Sequence, residues 1–226
     1  MHETRVTNPE RYDLHLHSDF SDGQATVRIL TERAASLDLD TIAITDHFWP
    51  CLGSRKGGKQ LIEQRRDQIW NLRSVFKSLS ILDGAEIDIS SNGMPAPIAD
   101  DLSRFDIIIG SFHFSLSSTQ WRSAVEHAAS SWRFDILGHW DGYLSSFREE
   151  DGAAVAKILA DNGIAVEISA RYVTQYPEFF EMARNAGCQF TLGSDSHTAA
   201  EVGKLNEQVQ LARALDLHLR TLPKLR

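Results

Sequence analysis

Cysteine is almost missing from this chain: Cys51 and Cys188 are the only two in 226 residues. They are too few and too far apart for a disulfide framework, so both are expected as free thiols in a reducing compartment. Excess positive charge is also missing. The formal net charge is −8, which argues against a surface that coats duplex nucleic acid, because such surfaces cluster Lys and Arg. A small anionic substrate stays compatible with that balance wherever bound cations dominate the local field. No apolar run approaches bilayer-spanning length, and the opening Met-His-Glu-Thr-Arg-Val-Thr-Asn-Pro lacks the apolar core of a signal peptide. No membrane partner and a cytoplasmic location are therefore expected. No Gly-, Ser- or Pro-rich stretch reads as a linker, so residues 1–226 are taken as a single domain, long enough to bury a sizeable core.

What the chain does have is alternation. Short apolar runs at 12–17, 41–45, 80–88, 106–110, 135–139, 165–169 and 189–193 predict strands. Amphipathic stretches at 26–37, 60–78, 121–131, 151–162, 177–186 and 204–216 predict helices. Asn162-Gly163 and Ala186-Gly187 fall where helix C-caps belong, and the least regular part is 89–105. Ile107-Ile108-Ile109 and Ala165-Val166-Glu167-Ile168 are short and β-branched, like parallel strands buried on both faces. Seven repeats of strand and helix predict an α/β fold whose parallel sheet closes into a TIM-like barrel.

The chemistry-bearing residues follow that pattern. His15 and His17 are two apart on a strand, so both imidazoles point to one face, and Asp22 lies in the turn beyond. His47 ends the second strand, Glu86 lies in the third, and the fourth leads into His113. His139 ends the fifth; Asp195 and His197 follow the seventh. Six of the nine histidines thus sit at or just beyond strand C-terminal ends, which gather at one mouth of a β/α barrel. Imidazoles and carboxylates together suit a divalent cation with nitrogen and oxygen ligands.

His-Leu-His-Ser-x-x-Ser-Asp-Gly, Ile-Thr-Asp-His, Gly-Ala-Glu, Ser-Phe-His, Gly-His and Gly-Ser-Asp-Ser-His occur here in order, from Tyr12 to His197. In that order they resemble the polymerase and histidinol phosphatase (PHP) family of metal-dependent phosphoesterases. The resemblance implies a distorted (β/α)7 barrel with two or three divalent metal ions (zinc, manganese or iron) at the C-terminal mouth of its strands. It places His15, His17, Glu86 and Asp195 around one ion. Glu86 then bridges to a second, completed by His113 and His139, and Asp22, His47 and His197 hold a third. Trp140 after His139 departs from the commoner proline. Three such cations against Asp22, Glu86 and Asp195 leave a local excess of about +3, a pocket suited to phosphate esters.

The expected activity is hydrolysis of a small phosphomonoester or short nucleotide by water activated between the ions that share Glu86. Asp195 is a candidate proton donor to the leaving oxygen. The resemblance also puts a phosphate-gripping arginine near Arg171, after the sixth strand. Alternatives are action on nucleic-acid ends, on histidinol phosphate, or a non-catalytic metal-binding module. The Gly- and Lys-rich stretch at 53–59 reads either as a lid or as a solvated loop. His2, His127 and His218 are expected to be solvated or structural. Asp19 and Asp141 are turn residues that can also orient an imidazole. Asp46 is expected to point away from the ligands, and Phe48, Trp49 and Trp140 to pack the core or cover the rim.

Overall fold

The computed structural model of the protein describes residues 8–47, 58–98 and 100–222. Strands β1 (Tyr12–Leu16), β2 (Thr41–Ile44), β3 (Ser80–Asp88), β4 (Ile107–Ser111), β5 (Ile136–Leu137), β6 (Ala165–Ser169) and β7 (Phe190–Gly193) form one parallel sheet in chain order. Helices α1 (Val27–Ser36), α2 (Lys59–Val75), α3 (Ser118–Ser131), α4 (Glu149–Asp161), α5 (Glu178–Ala186) and α6 (Asn206–Ala214) lie between or after them. The predicted elements all form. No helix among the described residues is long and apolar enough to cross a membrane.

Local chemistry sets the boundaries. Thr26 caps α1 by accepting from Ile29 N at 3.2 Å, and Ser117 with Gln120 forms a reciprocal capping box at α3. Gly163 and Gly187, at φ 65° and 92°, supply the left-handed turn that stops α4 and α5. Between β3 and β4 the described residues contain only a short 3₁₀ turn, Leu102–Arg104, where other crossovers carry an α-helix. That missing helix is one source of the distortion.

Closure of the barrel is the other. β1 and β7 meet through Leu16 and Ser196, with His17 N donating to Ser196 O at 2.9 Å and Ser196 N to His15 O at 3.2 Å. Asp13, buried below them, accepts from Ser194 N at 2.9 Å. The seven strands therefore make a nearly closed, distorted (β/α)7 barrel of the TIM type. Gly193 makes the approach feasible: a Cβ there would stand 2.8 Å from His15 Cβ and collide with the Glu167 carboxylate. One apolar core fills the barrel and its packing against α3, α4 and α5. A second lies between α1, α2 and the outer face of β2, with Val27, Leu30, Ile44 and Ile69 at its centre. Burial of these side chains on both faces of the strands drives the fold.

Candidate metal centre

All nine residues expected as ligands converge at the C-terminal mouth. Glu86 stands at the centre. His15, His17 and His47 bring Nε2 to 3.1, 3.2 and 3.3 Å from its Oε2. On the other oxygen, Oε1, His139 Nε2 lies at 2.9 Å and His113 Nε2 at 3.5 Å. Asp195 Oδ1 is 3.3 Å from His17 Nε2 and 3.5 Å from His197 Nδ1, and Asp22 reaches His197 Nε2 at 3.2 Å. Donor atoms gather within 4.8 Å of one another in four groups: His15–His17–Glu86, His17–Asp195–His197, His17–Asp22–His47 and His47–Glu86–His113. His47 thus faces both Asp22 and the Glu86–His113 pair.

Burial tests whether cations fit. His15 Nε2, both nitrogens of His17 and Asp22 Oδ1 are buried, and none makes a hydrogen bond. Buried polar atoms rarely lack partners, and these converge on shared space between carboxylates. Nitrogen and oxygen donors in that arrangement suit divalent ions such as zinc or manganese. Two of the candidate ligands also sit at positive φ, His139 at 22° and Asp195 at 51°, a conformation shared by Asp38 and Asp216 away from the cluster.

The electrostatics are those of a site prepared for cations. Burial pulls His17 down, but the Asp195 and Glu86 carboxylates, 3.3 and 3.2 Å from its Nε2, outweigh it and raise its pKa to about 10. Burial would raise Glu86, yet its imidazole neighbours, the charge of His15 foremost, hold it well below the ordinary carboxylate range. Asp195 is likewise pushed up by burial and held low by His15 and His17. His47 goes the other way, lowered to about 4 chiefly by burial, and so stays neutral and able to ligate. A cation that binds displaces protons from such imidazoles.

Three carboxylates outside the expected set orient the centre. Glu167, in β6, accepts from His15 Nδ1 at 2.8 Å and from His139 N at 2.6 Å. Asp88 accepts from His113 Nδ1 at 2.8 Å. Both fix the ring tautomer so that Nε2 faces inward. Asp46 points away from the cluster, as expected, and holds the ligand loop instead: it accepts from Ser18 N at 2.6 Å, Ser18 Oγ at 2.8 Å and Ser21 Oγ at 2.7 Å. Glu167 had a sequence signal, a carboxylate in the middle of an apolar buried strand. Asp88 had only its place two residues beyond Glu86, on the same strand face.

Arg171 reaches the mouth. Its Nη1 donates to Asp195 O at 3.3 Å and lies 3.1 Å from His197 Nδ1, with Nε 3.6 Å from Asp195 Oδ2. Neither Asp19 nor Asp141 orients an imidazole. Asp19 is exposed, and Asp141 accepts from Gln175 N at 2.6 Å. Trp140 is buried, its ring 4.4 Å from that of Phe179. His127 and His218 are exposed, away from the cluster, and Cys188 is a buried free thiol. Cys51, His2, Phe48, Trp49 and the 53–57 part of the expected lid lie outside the described residues.

Known proteins share this arrangement of chain. The PolX DNA polymerase/3'-5' exonuclease of Bacillus subtilis is 26% identical over 208 residues, covering 89% of this chain but only 36% of that protein. A probable phosphatase of Aliivibrio fischeri is 26% identical over 223 residues, 92% of this chain and 86% of the relative. In fold, the chain resembles the histidinol phosphate phosphatase of Lactococcus lactis, solved with zinc, L-histidinol and phosphate: TM-score 0.71, 18% identity, 95% of this chain and 97% of that one. The PHP domain profile matches residues 13–171, well over half of the sequence, and the protein belongs to the PHP domain family.

Proposed function

We propose that the protein is a metal-dependent phosphoesterase that hydrolyses a small phosphomonoester or short nucleotide. The observation that carries this reading is the division of Glu86 between two sets of imidazoles, three on Oε2 and two on Oε1. A carboxylate so placed suits a bridge between two ions. A third set, Asp22, His47 and His197, stands beside it. The names of the relatives, a probable phosphatase and a histidinol phosphate phosphatase, support the same class.

Zinc, manganese or iron held here would lower the pKa of bound water towards about 7 and neutralise charge on the phosphoryl group. The chain's own residues do the rest. Glu86 spaces the two halves of the site. Glu167 and Asp88 keep His15 and His113 turned inward. Arg171 lies beside Asp195, where its guanidinium can take two phosphoryl oxygens at once. Asp195 is kept ionised by its histidine neighbours, which suits a ligand better than a proton donor.

The test is phosphate release by protein reconstituted with zinc, manganese or iron, across phosphomonoesters, nucleotides, cyclic diesters and single-stranded DNA, with metal analysis of the same sample. Turnover of small esters that chelation abolishes and metal restores is expected. Turnover of DNA ends alone would favour the PolX-like reading. Undiminished turnover after full chelation would refute metal dependence.

A further inference from the structure

Two tyrosines with no expected role close the His113–His139 side of the mouth. The Tyr172 ring lies 4.9 Å from the His139 ring, and Tyr143 stands edge-on to His113 at 5.6 Å. Their phenol oxygens are 3.3 Å apart. The loops that carry them are tied together: besides the Gln175 N contact to the Asp141 carboxylate, the Gln175 amide donates to Asp141 O at 3.1 Å. Gly142 leaves the room, since a Cβ there would press on Tyr172 Cδ1 at 3.1 Å and on His139 O at 3.3 Å. The pairing is thus fixed by both loops.

A phenol carries one proton and can also accept. The bond between Tyr143 and Tyr172 uses one of their two protons, and the second meets no acceptor among the described residues. With the Tyr172 ring against His139 and the Tyr143 ring against His113, the hydroxyl pair shares the mouth with the cluster. Arg171 flanks that space from the Asp195–His197 side and the tyrosines from the His113–His139 side. We propose that the Tyr143–Tyr172 hydroxyl pair is a substrate-binding element, donating its second O–H to a non-bridging oxygen of the phosphoryl group. This rests on the reading of the centre as a phosphate-ester site. A neutral donor here adds a hydrogen bond to the oxyanion without adding charge to a pocket already rich in cationic groups.

The paired geometry makes a specific prediction. Removing one hydroxyl dissolves the bond between the tyrosines, and the remaining phenol still carries a proton to give. Removing both leaves none. Calorimetric titration of inorganic phosphate into the zinc-loaded protein should show each single variant, Y143F or Y172F, losing less than the double variant. The double variant should bind phosphate about tenfold more weakly, as loss of a hydrogen bond to a charged group entails. Both rings remain, so folding and zinc content should match the parent. Unchanged phosphate affinity in Y143F/Y172F would overturn the proposal, and so would loss of zinc, which would assign the pair to the metal site. Phosphate binding is read without turnover. A parent protein that binds phosphate but hydrolyses no ester would therefore fail the phosphoesterase reading separately.

Discussion

Arg65 and Glu86 are both buried near the strand ends of one barrel, and their surroundings differ in kind. Arg65, from α2, donates to Ile44 O at 2.7 Å, Gly84 O at 2.6 Å and Asp46 at 3.3 Å, and pairs with Asp83. Asp46 passes the contact on to Ser18 and Ser21. Those charges and their counter-groups are all protein. Around Glu86, five imidazoles crowd one carboxylate, and buried nitrogens of His15 and His17 are left without a hydrogen bond. The contrast separates a network whose charges meet protein partners, and which serves the fold, from one whose buried donors converge where a cation would fit.

That contrast can be broken by mutation. Arg65→Met should give the largest change in stability. It leaves Asp83 with Arg66 alone and Asp46 with only its Ser18 and Ser21 donors, and removing one partner of a buried ion pair costs about 3–5 kcal/mol. Urea denaturation of chelated protein would measure it; a loss below about 1 kcal/mol would mean that the network contributes little. Glu86→Ala should do the reverse, changing chelated stability less than Arg65→Met does while emptying the site. Removing a ligand should exceed the roughly 10- to 100-fold cost of removing a group that merely orients one, so turnover should fall more than about a hundredfold, with fewer ions per chain by elemental analysis. Full metal content and full rate in E86A would refute the bridging scheme.

Two smaller effects sharpen the picture. Glu167→Gln would present an amide N–H or a weaker acceptor to His15 Nδ1, and zinc affinity in a competition titration should drop about 10- to 100-fold. An unchanged affinity would reduce Glu167 to packing. Arg171→Ala should leave metal content intact and raise the Michaelis constant for a phosphomonoester about tenfold, as loss of a charge-assisted contact predicts. If the Michaelis constant stays put while the maximal rate falls, Arg171 acts on the transition state instead.

The convergence of the nine candidate ligands was legible because most lie at or just beyond strand C-terminal ends in an ordered set of motifs, where barrel topology does the gathering. What supports them was not, because its meaning depends on partners across the barrel. Tyr143 and Tyr172 belong to loops 29 residues apart that only the folded chain brings together. Glu167 meets His15 over a separation of 152 residues. Arg65 did leave a trace: with Ile62, Ile69 and Leu72 it lies on the buried stripe of α2, a position that helical periodicity reserves for apolar side chains. A cation in that stripe signals a buried counter-charge. The left-handed backbones of His139 and Asp195 left only a weak signal: Asp and His enter that region more often than most residues, yet most of those in this chain do not.

The seam between β1 and β7 has a further consequence. The strands that meet there come from opposite ends of the described chain and are held by few main-chain bonds. His17 stands on one edge and Asp195 and His197 on the other, grouped closely enough for a single ion. An ion taking all three would rivet the cylinder shut across a loop of nearly the whole polypeptide, the circumstance in which a cross-link restrains the unfolded chain most. Stripping it should let amide protons at His17 and Ser196 exchange early, so that the barrel unzips at this seam before it melts elsewhere.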